Sequence, residues 1–336
     1  MITANEPSTQ RETLSDWRQS LRDAVTDPGE LLALVGLPQL ASRLPVADAG
    51  FAMKVPRGFV ARMRHGDPRD PLLLQVLPQL AELDDAPGFT DDAVGDLDAV
   101  AAHGVLHKYE GRALLIAAGS CAVNCRYCFR RHFPYAEELA AAHVWREAID
   151  CLSKDTSIRE VILSGGDPLV LSTQKLTDLT DGLHGAPHVI RLRIHSRLPV
   201  VLPERIDDAF CVWLSGLPFQ RVVVLHANHP HELDASVEAA CAHLREAGAT
   251  LLNQSVLLRG VNDDADALTR LSERLFACGV LPYYLHQLDR VRGTSHFEVP
   301  DARARGLVDS LRARLPGYLV PRLVRELPGA NAKRPV

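Results

Sequence analysis

Apolar residues follow two rhythms along this chain, and the change between them comes near Arg112. Before it, Leu14, Trp17, Leu21, Ala24 and then Leu31-Leu32-Ala33-Leu34 recur at roughly helical spacing. Asp27-Pro28-Gly29-Glu30 marks a turn and helix start between them, so residues 12–50 read as helical. Residues 51–110 mix short apolar runs with Pro56, Pro68, Pro71, Pro78 and Pro87, which predicts helices and loops docked on something larger. After Arg112, strands are expected at Ala113–Ala117, Glu160–Leu163, Arg191–His195, Arg221–His226, Thr250–Ser255 and Pro282–His286. Amphipathic stretches near 137–152, 172–183, 205–216, 232–247, 264–277 and 301–314 read as helices between and after them. Such alternation implies right-handed crossovers and a parallel sheet. The expected fold class is α/β: a partial (β/α)6 TIM-type barrel over 111–316, with an N-terminal helical extension over 1–110 and a short C-terminal arm over 317–336. The two ends of the chain would close the open side of the barrel. Chemistry in such barrels sits at the C-terminal ends of the strands.

Composition narrows the class without naming a function. The chain is 46% hydrophobic and 24% charged with net charge −5, an ordinary balance for a soluble globular protein. It carries no basic footprint for nucleic acid or an anionic membrane. The N-terminus has neither the basic start nor the apolar run of a secretory signal, and no apolar run of about 18 residues occurs. A cytoplasmic protein is expected. Seven cysteines, four of them scattered singly (Cys151, Cys211, Cys241, Cys278), do not read as a disulfide framework. Only five lysines stand against thirty-two arginines, so each lysine is conspicuous.

Candidate chemistry begins with Cys121, Cys125 and Cys128 in a C-x3-C-x2-C run. Three thiolates so close can hold three corners of an iron–sulfur cube and leave the fourth iron open to a small molecule. Zinc held by the three thiolates and His132 is the alternative, although no second cysteine pair supports it. The spacing resembles that of radical S-adenosylmethionine enzymes. Further motifs fall at the expected strand ends. Ser164-Gly165-Gly166-Asp167 would let backbone acceptors approach an ammonium group, or be only a turn. Ser196-Arg197 follows the third strand, and His226 opens a histidine-rich run that suits polar ligand contacts better than a metal. Asn253 and Gln254 are amides that need partners, which a nucleoside could supply. Asp289 follows the sixth strand. Lys333 reads either as a solvated tail lysine or as a Schiff-base lysine delivered by a flexible small-residue arm.

Taken in order, these segments resemble the lysine 2,3-aminomutase family across nearly the whole chain. The matching pieces are Tyr109–Arg112, the cysteine loop with Arg130-Arg131, Leu163–Asp167, Ser196–Arg205, His226–Pro230, Asn253–Asp263, Pro282–Asp289 and the Lys333 tail. Cys125–Tyr135 looks like the short branch that makes β-lysine for elongation factor P. The tail departs from the family's glycine run, with Ala330, Asn331 and Ala332, and Glu326 stands where an aspartate is usual. The resemblance implies an isomerase with three cofactors: a [4Fe-4S] cluster on Cys121, Cys125 and Cys128, S-adenosylmethionine, and pyridoxal 5′-phosphate on Lys333. It implies phosphate contacts from Arg112, Tyr109 and Lys108. S-adenosylmethionine contacts would come from Ser164, Gly165, Gly166, Asp167, Ser196, Arg197, His226, Asn253 and Gln254. Arg130 would take the substrate carboxylate, with Asp289 and Glu326 on its ε-ammonium. The implied reaction turns free (S)-lysine into (R)-β-lysine, with an electron donor of flavodoxin or ferredoxin type and an elongation factor P ligase downstream. Oligomeric state is left open. Alternatives are a mutase for glutamate or arginine, and a non-catalytic zinc-binding scaffold.

Overall fold

The computed structural model describes residues 16–45, 51–135 and 144–336. Ten strands form one sheet in sequence order. Its centre is the seven-stranded parallel run β3 (Arg112–Ala118), β4 (Glu160–Gly165), β5 (Arg191–Ser196), β6 (Gln220–Leu225), β7 (Thr250–Val256), β8 (Leu281–His286) and β9 (Arg322–Arg325). Antiparallel strands extend both edges: β1 (Val100–Ala102) and β2 (Val105–Tyr109) before β3, and β10 (Arg334–Pro335) after β9. A parallel sheet with helical crossovers and free edges is a partial TIM-type barrel, as expected.

The differences from expectation lie at the edges. The sheet runs past residues 110 and 316 in both directions. β9 has only Leu323 and Val324 between arginines and becomes a strand because a neighbour offers it a ladder. Arg322, Leu323 and Val324 pair with Tyr284, Leu285 and His286. The tail therefore does not hang free: Arg334 pairs with Arg325 and Pro335 with Val324.

Helices lie between the strands, and their starts follow the capping rule. Ser172, Asp207, Asp234 and Asp264 accept from backbone amides at the starts of Thr173–Leu183, Asp208–Gly216, Ala235–Glu246 and Ala265–Ala277. The helix expected near 137–152 is described over Val144–Lys154; residues 137–143, like Leu14, lie outside the described residues. The N-terminal region is a series of short helices, including Trp17–Arg22, Pro28–Leu34 and Arg57–Val60. No described helix is long and apolar enough to cross a membrane.

The main core lies where the outer face of the sheet meets these helices. Val161, Leu163, Leu192, Ile194, Val223 and Leu225 pack with Leu176, Leu179, Phe210, Val237 and Leu244. Leu163 is fully buried, so truncation to alanine there would cost about 2–5 kcal/mol. The opposite face, freed from this packing, supplies the site.

Candidate active site at the barrel mouth

One cavity of about 520 Å³ opens at the C-terminal ends of the parallel strands. It gathers side chains from β2, β3, β4, β5, β7 and β8 and from the segments that follow the strands, including Lys108, Cys121, Cys125, Cys128, Arg130, His226, Asp289, Glu326 and Lys333. The period-two alternation of strands decides which neighbours enter. On β7, Gln254 and Val256 face the cavity. Asn253 does not reach it: its oxygen accepts from Ala227 N at 2.9 Å, and its nitrogen donates to Ala227 O and to Ser255 Oγ. The amide at 253 found its partners in the next loop rather than in a ligand.

The cysteine loop leaves β3 and is clamped from below by the N-terminal region. Arg126 is fully buried; it donates to Glu82 at 2.9 Å and to Phe51 O at 2.7 Å. Glu82 also takes Arg131 at 2.9 Å, and Asn124 N donates to Lys54 O at 3.0 Å. From above, the glycines of the β4 turn press on the loop. A Cβ on Gly166 would stand 2.4 Å from Ser120 O, and one on Gly165 would stand 2.7 Å from Ala118 O. The Gly165 carbonyl accepts from Tyr135 Oη at 2.7 Å. These glycines are thus required by close backbone approach, whatever ligand lies above them.

The three thiols are free and face one space. Burial, together with charge on Cys125, pushes Cys128 up to about 11. Cys121 is pushed up by burial and by the neighbouring thiols and Asp167. Three thiolates in so small a buried space need a cationic partner, and an iron–sulfur cluster supplies one. Among the described residues no three His, Cys, Asp or Glu side chains close around the point a single ion would occupy. A cube instead spreads its sulfur ligands over separate corners, so the loop fits a cluster better than zinc. Arg197 leans on the Cys125 sulfur while holding Gln75 at 2.7 Å and Glu232 at 3.0 Å.

Asp167 and Ser196 line the cavity but act on the backbone. Asp167 accepts from Ser196 Oγ at 2.7 Å, Arg197 N at 2.7 Å and Leu169 N at 3.0 Å, tying β4 to β5. Burial raises its pKa to about 6 despite these bonds. His226 meets the Gln254 side-chain amide at 2.9 Å. Burial and then Arg197 hold this imidazole near 3, so it is neutral and can accept.

The opposite end of the cavity is a chain of alternating charges. Arg130 Nε lies 2.6 Å from Asp96 Oδ2, and Lys108 Nζ lies 2.5 Å from Asp96 Oδ1. Lys108 also reaches Glu326 at 3.2 Å and Val94 O at 2.8 Å. Glu326 closes on Lys333. Lys108, expected at a cofactor phosphate, therefore has all three N–H donors engaged and none left for one. Arg112 lies over the Tyr109 ring at 4.6 Å and lines the cavity beside Arg193, whose Nε is buried without a partner. Arg193 pairs through Nη2 with Glu160, so its Nε together with the Arg112 guanidinium suits a phosphate. Lys333 lies 5.9 Å from the centre of the Tyr284 ring, so its amine and an aromatic floor share the space a pyridoxal ring would need.

The two acids beyond them differ sharply. Burial would raise Glu326, but Lys333 and Lys108 hold it down at about 2. Burial and the Glu326 charge push Asp289 up to about 7, and its Oδ1 has no partner. Asp96, Arg193, Tyr135, Tyr284 and the imidazoles of half-buried His195 and buried His286 also line or frame the site, without having stood out along the chain. For Arg193 and Tyr284 the signal was available, since alternation along β5 and β8 puts them on the cavity face; Asp96 lies in a turn with no such signal.

A family model described as a 4Fe-4S single cluster domain matches residues 109–186. The chain is 47% identical to an L-lysine 2,3-aminomutase of Escherichia coli, covering 100% of this chain and 97% of that protein. It is 45% identical to one of Haemophilus influenzae, covering 99% and 98%. One of Clostridium subterminale is 32% identical, with 96% and 78% covered. Identity at this level over the whole length places the chain in the L-lysine 2,3-aminomutase family.

Proposed function

We propose that this chain is a radical S-adenosylmethionine, pyridoxal phosphate-dependent lysine 2,3-aminomutase. It converts (S)-lysine to (R)-β-lysine in the cytoplasm, and the product goes to a ligase that modifies elongation factor P. The observation that carries the reading is a single cavity holding three cysteine thiols at one end and, at the other, a lysine amine beside two half-buried carboxylates. When bound, the cluster with S-adenosylmethionine supplies one-electron hydrogen abstraction, and pyridoxal phosphate supplies a carbonyl for the migrating amine.

The residues divide the remaining work. Cys121, Cys125 and Cys128 would hold the cluster through three of its irons, and an electron donor of flavodoxin or ferredoxin type would supply its electron. Gly165 and Gly166 bring backbone acceptors close to the methionine ammonium, with Ser164, Arg197, His226 and Gln254 along the rest of that ligand. Arg112 and Arg193 face the phosphate. Arg130 offers the Nη2 end of its guanidinium to the substrate carboxylate. Asp289 and Glu326 would take the side-chain ammonium, Asp289 through its unpartnered Oδ1. Two half-buried acids favour a cationic side chain and repel a carboxylate, which selects lysine over glutamate.

Product analysis with labelled lysine, anaerobically reconstituted protein and a strong reductant tests the reaction and the substrate together. The expected product is β-lysine, with glutamate and arginine far slower. Turnover of glutamate or arginine without lysine would replace the substrate assignment. A colourless protein that takes up zinc but no iron would end the radical reading. Unmodified elongation factor P accumulating in cells lacking the gene is the expected sign of the product's destination.

A further inference from the structure

We propose that Asp96 is a positioning residue that fixes the carboxylate end of the substrate site relative to its ammonium end. The proposal rests on the lysine reading above. Asp96 is 2% exposed and lies outside the barrel strands, in a turn pinned by its own N–H donating to Asp92 Oδ1 at 2.9 Å. Its two oxygens are divided between two cations from different elements, Arg130 on the cysteine loop and Lys108 on β2. Lys108 in turn reaches Glu326. One buried acid therefore connects the arginine that faces the substrate carboxylate to the carboxylate that faces its ammonium.

Geometry makes the role specific. Arg130 uses Nε on Asp96 and Nη1 on Ser164 Oγ at 3.3 Å, which leaves Nη2 for a ligand. The guanidinium is planar, so a partner at Nε fixes the direction of the whole fork. The charge of Asp96 is secure: burial opposes it, but Arg130 and Lys108 hold its pKa below the usual carboxylate value. With both oxygens engaged, Asp96 cannot compete for the substrate ammonium, whereas Asp289 keeps an unpartnered oxygen. Asp96 thus gives the site its polarity, carboxylate toward the cysteine loop and ammonium toward β8 and β9.

The test compares L-lysine with lysinamide, which keeps both amines and lacks the carboxylate charge, as ligands of fully reconstituted wild-type, Asp96→Asn and Asp96→Glu protein. In Asp96→Asn the lysine KM is expected to rise roughly ten- to a hundredfold, the value of a charge-assisted hydrogen bond, with a smaller change in kcat. Lysinamide binding stays near its wild-type value, so the preference for lysine collapses. Iron and pyridoxal phosphate contents remain unchanged. Equal weakening of lysine and lysinamide, or an intact preference, would overturn the proposal by reducing Asp96 to a structural part. Should Asp96→Asn not fold, Asp96→Glu decides: the retained charge and longer arm are expected to weaken lysine alone, and an unchanged or evenly weakened pair of ligands refutes the role. Wild-type protein that binds no lysine would sink the lysine reading, and this proposal with it.

Discussion

Asp289 is the residue whose chemistry is easiest to follow through pH. Burial and Glu326 place its free-enzyme pKa at about 7, above the ordinary aspartate value of about 3.9. An ammonium binds the ionised form, so kcat/KM for lysine should fall about tenfold per pH unit below about 7. Asp289→Asn should lose roughly ten- to a hundredfold in kcat/KM and flatten that limb, measured between pH 5.5 and 8.5. Linkage adds a second reading. An acid with a raised folded pKa stabilises the ligand-free fold at low pH, and that contribution is lost as pH rises through about 7. Ligand-free Asp289→Asn should therefore melt higher than wild type at pH 8 and alike near pH 4. Arg197 makes the companion case at the cluster end, where its cation sits on the Cys125 sulfur. Removing it in Arg197→Gln takes positive charge from a site that gains an electron, so the cluster potential should fall. Potentiometric titration followed by electron paramagnetic resonance checks the direction, and a potential equal to or above wild type contradicts it.

At the scale of elements, the cysteine loop and the β4 turn behave as one unit. Neither glycine of the turn can carry a Cβ without moving Ser120 or Ala118, and Gly165 also has φ 106°. Gly166→Ala should displace Cys121, and reconstituted iron should drop below about half of the four per chain that a cube requires. An unchanged iron content with an intact absorption spectrum would mean that the loop can yield. The sequence made this unit legible because its chemistry is local: three cysteines in one run, two glycines in the next turn. The six strands expected from apolar runs are also present, since burial on one face writes itself into the order of residues. What stayed illegible depends on pairing across long separations. β9 offers only Leu323 and Val324 between arginines, and β10 is two residues long. Asn253 shows the converse error. A buried amide does need partners, but chain order could not show that Ala227 supplies them. Asp96 means nothing until Lys108 and Arg130 fold onto it.

Across the whole molecule, the open sheet is held together at its mouth by charge rather than by backbone ladders. β2 lies near one edge and β9 near the other, with the parallel strands between them. Yet Lys108 on β2 reaches Glu326 just beyond β9, and a Cβ on Gly95 would stand 3.1 Å from Pro328. The segment around Gly95 and Lys108 thus meets the segment around Glu326 and Pro328 over the cavity, and the ion pair is the fastening. Lys108 is only partly exposed, so bulk salt screens it weakly, and removing it leaves Asp96 and Glu326 each short of a cation in a buried setting. Lys108→Met, which keeps the apolar stem, should cost about 3–5 kcal/mol and lower the melting temperature by roughly 3–8 °C. The loss should be local. Amides of residues 94–108 and 326–333 should exchange hydrogen faster, while β4 to β7, fastened by their own ladders and the helical core, keep wild-type protection. Exchange that rises evenly over the sheet, or not at all in those two segments, would show that packing rather than this pair closes the mouth. Confined opening would tie the Lys333 arm to β2 through the Lys108 side chain. Pyridoxal phosphate should then dissociate faster from Lys108→Met, which is measurable by absorbance in the absence of substrate.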